Sequence, residues 1–275
     1  MNTILIIGAT TGIGEAFARR FHGLGKKVII TGRNQEKLKN LAQELPGLET
    51  RQVSQLHVDD LPNLGSNINK ILADFPSIDS VIINAGIQQS FNLLDPSTIS
   101  PDAIASEITT NLTGPTILVH HLAPHLLKLA QAGTKTNLFL NSSTLAYIPL
   151  GSFPSYIASK AGIAALARVL RQQLISTPGP ASGNMAVVEI VPPWTDTGLD
   201  KNHRDVAIGD EGGADNGFAP MPLGEYVDKF FDAWEGAVRA DGSVKEEIGV
   251  GLGAVGVDTW RASFGELYKG MGLST

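Results

Sequence analysis

Thr3-Ile4-Leu5-Ile6-Ile7 runs without a charge into Gly8-Ala9-Thr10-Thr11-Gly12-Ile13-Gly14, and an amphipathic stretch follows from Glu15 to Leu24. An unbroken apolar run of this kind suits a strand buried on both faces, as in a parallel sheet. The order is therefore strand, glycine turn, helix. The glycines permit a tight reversal and let backbone N–H groups approach a pyrophosphate at the positive end of the helix. Their spacing, Gly-x-x-x-Gly-x-Gly, differs from the Gly-x-Gly-x-x-Gly dinucleotide fingerprint, so chain reversal alone is the alternative reading. A second apolar strand, Lys27 to Thr31, ends in Gly32-Arg33-Asn34, where dinucleotide folds inspect the adenosine ribose. A basic residue there neutralises a 2′-phosphate, whereas an acidic one accepts from a free 2′-hydroxyl. Arg33 points to NADP(H), with a solvent-facing arginine at a strand end as the alternative.

The alternation continues along the chain. Strands are expected near Thr50 to Leu56, at Ser80 to Ile83, Thr136 to Asn141, Ala186 to Val191 and Glu247 to Gly251. Helices are expected from Leu61 to Phe75, Asp102 to Ala132, Ser155 to Ser176 and Asp258 to Lys269. Right-handed crossovers wind such a chain into a parallel sheet covered on both sides, with substrate at the carboxyl ends of the strands. The absence of a Ser/Pro-rich linker favours one domain over residues 1–275. Between Thr195 and Pro222 lies a polar, glycine-rich stretch, expected to be a lid over the site or a surface loop. His203 and Arg204 within it are expected to be solvated, with contact to a polar substrate group as the alternative.

Ser155-Tyr156-Ile157-Ala158-Ser159-Lys160 sets a phenol and an ammonium four residues apart, on one helical face, with Ser143 thirteen residues before the tyrosine. A neighbouring ammonium favours the phenolate and lowers the pKa of the phenol. Tyr156 then becomes an acid or base, Lys160 its tuning charge, and Ser143 a hydroxyl for a developing alkoxide.

Taken together, Gly8/Gly12/Gly14, Asn84-Ala85-Gly86, Asn111, Ser143 and Tyr156/Lys160 resemble the short-chain dehydrogenase/reductase family over residues 1 to about 198. The resemblance implies an α/β, Rossmann-type, doubly wound parallel sheet of about seven strands with helices on both faces. It implies catalysis by Ser143, Tyr156 and Lys160, with Asn111 holding a water in a relay to Lys160. It implies a dinucleotide bound by the turn Gly8, Thr10, Thr11, Gly12, Ile13 and Gly14, by Arg33 and Asp59, and by Asn84, Ala85 and Gly86. Tyr156, Lys160, Pro192 and Thr197 complete that set. Pro192-Pro193-Trp194-Thr195-Asp196-Thr197 departs from the family's usual Pro-Gly, and proline in place of glycine removes a backbone donor. With Met221-Pro222-Leu223, this segment is similar to the DltE-like subgroup. Gln88, Leu145, Tyr147, Phe153 and Trp194 are pocket walls by position, suiting a partly apolar carbonyl or alcohol.

The formal charge of −6 and the dispersed basic residues speak against a nucleic-acid groove. With no cysteine, the chain has no disulfide or thiolate chemistry, which fits a cytoplasmic protein. No apolar run is long enough to span a membrane, and the apolar start reads as a strand and not as a signal peptide. His120, His121 and His125 lack a carboxylate or cysteine to complete a metal set, so no metal is expected. By the resemblance their helix, with Leu118, Leu122, Leu126 and Leu129, joins subunits into a homodimer or homotetramer. A cofactor sensor or scaffold that does no chemistry is the rival from another class. An enoyl reductase is disfavoured by the four-residue Tyr–Lys spacing.

Overall fold

The computed structural model describes residues 1–50, 58–204, 219–239 and 244–273. Seven strands form one parallel sheet: β1 Thr3–Ile7, β2 Lys27–Thr31, β3 Glu49–Thr50, β4 Ser80–Ile83, β5 Thr136–Asn141, β6 Met185–Val191 and β7 Glu247–Gly249. Their spatial order is β3-β2-β1-β4-β5-β6-β7. The chain leaves β1 in one direction and returns at β4 on the other side, so a switch point lies between them, where open α/β sheets bind ligands.

Alternate strand residues feed two cores. Leu5, Ile7, Val81, Ile83, Leu138 and Leu140 pack under α3 (Leu61–Asp74), α5 (Gly114–Gln131) and α6 (Pro154–Ile175). Ile4, Ile6, Val28, Ile30, Ile82 and Phe139 pack under α1 (Gly12–Gly23), α2 (Gln35–Glu44) and, after the short α7 (Ala181–Asn184), α8 (Leu223–Glu235). Helices on both faces explain why the strands read as continuous apolar runs with no period of two. On the second face Phe17 meets Phe230 at 4.5 Å between ring centres, and Phe21 meets Phe231 at 4.9 Å.

Several boundaries differ from the expectations. The long helix after β4 is α4 (Pro101–Ile108), a π turn Thr109–Thr113, and α5, with Asn111 inside the turn. Such single π turns often mark functional positions. The last strand stops at Gly249, because Gly251 turns at φ 56° into α9 (Leu252–Trp260), six residues before the expected start of the closing helix. A further π turn, Arg261–Gly265, and α10 (Glu266–Gly270) follow. The third strand is described only at Glu49–Thr50, and the rest of its expected span lies outside the described residues. Most of the expected lid, 205–218, also lies outside them. Its two ends meet in a parallel bridge between Thr195 and Met221. Among the described residues no helix is long and apolar enough to cross a membrane.

Candidate active site

Register brings three residues to one level. Ile7 pairs with Ile83 and Ile83 with Leu140, so Gly8, Asn84 and Asn141 stand side by side at the carboxyl ends of β1, β4 and β5. Asn84 Nδ2 donates to the Gly8 carbonyl at 2.8 Å, and Asn141 Nδ2 donates to Asn84 Oδ1 at 2.7 Å. Lys160 Nζ, from α6, donates to the Asn141 carbonyl at 2.8 Å. An unbroken polar chain thus connects the glycine turn to the lysine, and the sheet holds it rigid.

The turn itself is closely packed. A Cβ on Gly8 would lie 2.6 Å from the Ala85 backbone, and one on Gly14 would lie 2.1 Å from the Gly8 carbonyl. Gly12 adopts φ 58°, and a Cβ there would meet Thr197 at 2.9 Å. Thr11 is the N-cap of α1 but its side chain makes no capping bond, so the first-turn N–H groups remain available toward the cleft. Uncapped donors at a helix start, reinforced by the helix dipole, are what a pyrophosphate requires. At the far end Arg33 and Lys37 line the same cleft, and among the described residues neither makes an ion pair. This donor set fits a dinucleotide.

The cleft has a volume of about 1370 Å³. Gly8, Thr10, Thr11, Gly12 and Ile13 line one side, with Arg33 and Asp59 beyond them. Asn84, Ala85 and Gly86 form the floor, and Pro192 and Thr197 the opposite rim. Ser143, Tyr156 and Lys160 open into it together. Gly14 and Asn111 do not line it. Gly14 is packed against Gly8, and Asn111 lies behind Gly86, where an added Cβ would be 3.3 Å from Asn111 Oδ1 and 3.6 Å from Lys160 Nζ. Both polar atoms of the Asn111 amide are engaged by Ile87: Oδ1 accepts from its N–H at 2.9 Å and Nδ2 donates to its carbonyl at 2.8 Å.

The electrostatics depart from the expectation. Burial pushes the Tyr156 phenol up to about 12, opposed by its hydrogen bond with Ser143 and reinforced by the negative charge of Glu107. Lys160 does not offset that rise. The ammonium lies over the ring, 5.6 Å from its centre, and burial alone brings its own pKa down to about 8. The phenol is therefore held protonated, the state that donates.

Leu145, Phe153 and Trp194 pack around Tyr156, and with Gln88, Ile148 and Leu150 they line the outer part of the cleft. Tyr147 does not. Its hydroxyl turns inward and donates to Glu189 Oε2 at 2.9 Å, while Arg168 Nη2 donates to the same hydroxyl at 3.1 Å. A phenol turned away from water needs such partners, and Glu189 of β6 and Arg168 of α6 supply them on the side away from the cleft. Arg204 is tied to its own loop by Asp196 at 2.6 Å and Asp200 at 3.2 Å, and Trp194 Nε1 donates to Asp200 at 2.7 Å. His125 is hydrogen-bonded to the Ile78 carbonyl at 2.8 Å, and the His121 ring packs at Gly65.

Sequence reasoning missed Lys37, Glu107 and the Asn141 carbonyl. Lys37 was findable, since it follows Arg33 by four residues where a phosphate is expected. Asn141 was hidden because it acts through its backbone.

Comparison with known proteins agrees with this architecture. The family described as short chain dehydrogenase matches residues 2–207. The uncharacterized oxidoreductase DltE of Bacillus subtilis is 33% identical over 204 residues, covering 74% of this chain and 75% of that protein. Dehydrogenase/reductase SDR family member 7B of Bos taurus is 32% identical over 178 residues, 62% of this chain, which spans about half of that protein (53%). A short chain dehydrogenase from Burkholderia cenocepacia, solved in complex with NADP, superposes with a TM-score of 0.71 at 18% identity, covering 98% of this chain and 96% of that one. Sheet order, glycine turn and matched span lead to one assignment: this chain belongs to the short-chain dehydrogenase family and has the DltE-like character its Pro192-Pro193 segment suggested.

Proposed function

We propose that the protein is an NADPH-dependent reductase that converts a ketone to a secondary alcohol, or runs the reverse reaction, by means of Ser143, Tyr156 and Lys160. One observation carries this reading: a buried serine–tyrosine–lysine set faces the same cleft as a glycine turn with uncapped helix donors. A bound nicotinamide dinucleotide supplies the hydride. Tyr156, protonated well above neutral pH, gives its proton to the substrate oxygen, and Ser143 orients that oxygen through its hydroxyl. Lys160, fixed by the Asn141 carbonyl, provides positive charge behind the phenol below about pH 8. Arg33 and Lys37 favour a 2′-phosphate by charge, which supports NADPH over NADH. The apolar outer walls suit a substrate with a hydrophobic body. A panel of aliphatic and aromatic ketones, followed as loss of NADPH absorbance, tests the reading. Turnover of at least one ketone is expected; tight NADPH binding with no turnover across the panel contradicts it and supports a scaffold.

A further inference from the structure

Asp200 is 3% exposed, although Leu199 and Lys201 on either side of it lie at the surface. A carboxylate gives up water only for firm partners, and each of its oxygens has one. Oδ2 accepts from Trp194 Nε1 at 2.7 Å and from Arg204 Nε at 3.3 Å, and Oδ1 accepts from Arg204 Nη2 at 3.2 Å. Arg204 Nη2 also meets Asp196 Oδ1 at 2.6 Å, a carboxylate nearer the surface. To close the loop, the Arg204–Asp196 pair alone would serve. What the buried carboxylate adds is a bond to an indole.

That indole is a wall of the site. It packs against Tyr156 and Phe153 and lines the cleft beside them. The backbone beneath it is already held: the Trp194 carbonyl accepts from the Met221 N–H at 2.8 Å, and the Asp196 N–H donates to the Met221 carbonyl at 2.9 Å. Pro193, immediately before it, has a fixed φ. The backbone leaves open the two side-chain torsions of Trp194, which set the plane the ring turns toward the cleft. Its single polar atom is the indole N–H, so a charge-assisted bond there fixes that plane.

We infer that Asp200 is a positioning residue for the substrate wall: braced by Arg204, it anchors the Trp194 indole in the orientation that bounds the space beside Tyr156. The use of that wall, discrimination among ketones by the bulk of the groups flanking the carbonyl, rests on the reductase reading above. The anchoring of the indole does not.

The anchor is read from the indole N–H resonances of the ¹⁵N-labelled protein: Trp194, Trp234 and Trp260 give one each, and Trp194→Phe identifies the first. In Asp200→Ala, or in Asp200→Leu if the alanine variant does not fold, the Trp194 proton should shift toward the position of a free indole and exchange with water about tenfold faster or more. For a ketone that the native protein reduces, the same substitution should raise KM by about tenfold and lower kcat by less. In a Trp194→Phe background it should change KM by less than about twofold, because the ring it acts through has lost its N–H. A Trp194 proton unmoved in the Asp200 variant, a native KM, or a KM effect of equal size in both backgrounds overturns the proposal. Because the resonance needs no turnover, a chain that shows the anchor but reduces no ketone would refute the reductase reading alone.

Discussion

Lys160 Nζ lies 5.6 Å from the centre of the Tyr156 ring and is held there by the Asn141 carbonyl at 2.8 Å. One helical turn brings the pair together, and the end of β5 fixes the direction of the ammonium. Proximity does not by itself acidify the phenol: Tyr156 and Lys160 are both more than nine-tenths buried, and loss of water disfavours each charged form. The site as built stores a proton on Tyr156 and a labile charge on Lys160. Reduction activity should therefore decline as pH rises through about 8, where Lys160 loses its charge. A pH profile of ketone reduction in the cofactor-saturated enzyme checks this, and a flat profile from pH 7 to beyond 9 would speak against it.

Arg33→Ala should raise the Kd for NADPH by about tenfold or more while leaving that for NADH within about twofold, as expected for loss of a charge-assisted phosphate contact. Lys37→Ala should act in the same direction. Titrations with both nucleotides provide the comparison, and equal losses would remove the 2′-phosphate role.

Glu107 gives stability a pH dependence of definite sign. Its pKa rises from 4.5 to about 7 on folding, so the folded state holds the proton more tightly. That contribution is fully present below about pH 4.5 and is lost as pH rises to about 7; it amounts to something on the order of 3 kcal/mol. Glu107→Gln should remove this slope. Urea unfolding of both proteins at pH 5 and pH 8 measures it, and parallel changes in the two would refute it.

Gly14→Ala tests the packing of the turn. Its new Cβ would fall 2.1 Å from the Gly8 carbonyl and 2.6 Å from Asn84 Nδ2. Overpacking of this kind costs about 1–3 kcal/mol, and here it also displaces the Asn84 bond that connects the turn to the sheet. Lower thermal stability together with weaker dinucleotide binding is expected. Unchanged binding would show that the turn is more compliant than its contacts imply.

Tyr147→Phe separates packing from substrate contact. Removing the hydroxyl leaves Glu189 Oε2 without its donor, which costs about 1–3 kcal/mol of stability. The KM for a ketone should be unaffected, since the side chain faces away from the cleft. A large change in KM with native stability would return Tyr147 to the pocket wall.

Much of this was legible in the sequence because each β-unit carries its own signal. The run Thr3–Ile7 with its glycines marks the first unit, and Tyr156, Lys160 and Ser143 were recoverable because one lies a helical turn from another and the third follows directly on a strand. What was not legible depends on tertiary context. The direction of the Tyr156 shift follows from burial, which spacing does not reveal. Tyr147 was misread because position along the chain cannot say to which side of β6 a side chain turns. The π turn at Asn111 has no marker in local propensity. α8 went unread although Tyr226, Val227, Phe230 and Phe231 recur at helical spacing directly after the polar stretch that ends at Pro222.

The central claim is that the Tyr156 hydroxyl delivers the proton. Tyr156→Phe keeps the ring among Leu145, Phe153 and Trp194 and removes only that hydroxyl. For a ketone that the native protein reduces, kcat should fall by about 10²–10⁴-fold, while the Kd for NADPH, measured by fluorescence, stays within about twofold. A variant that retains near-native kcat would contradict the account.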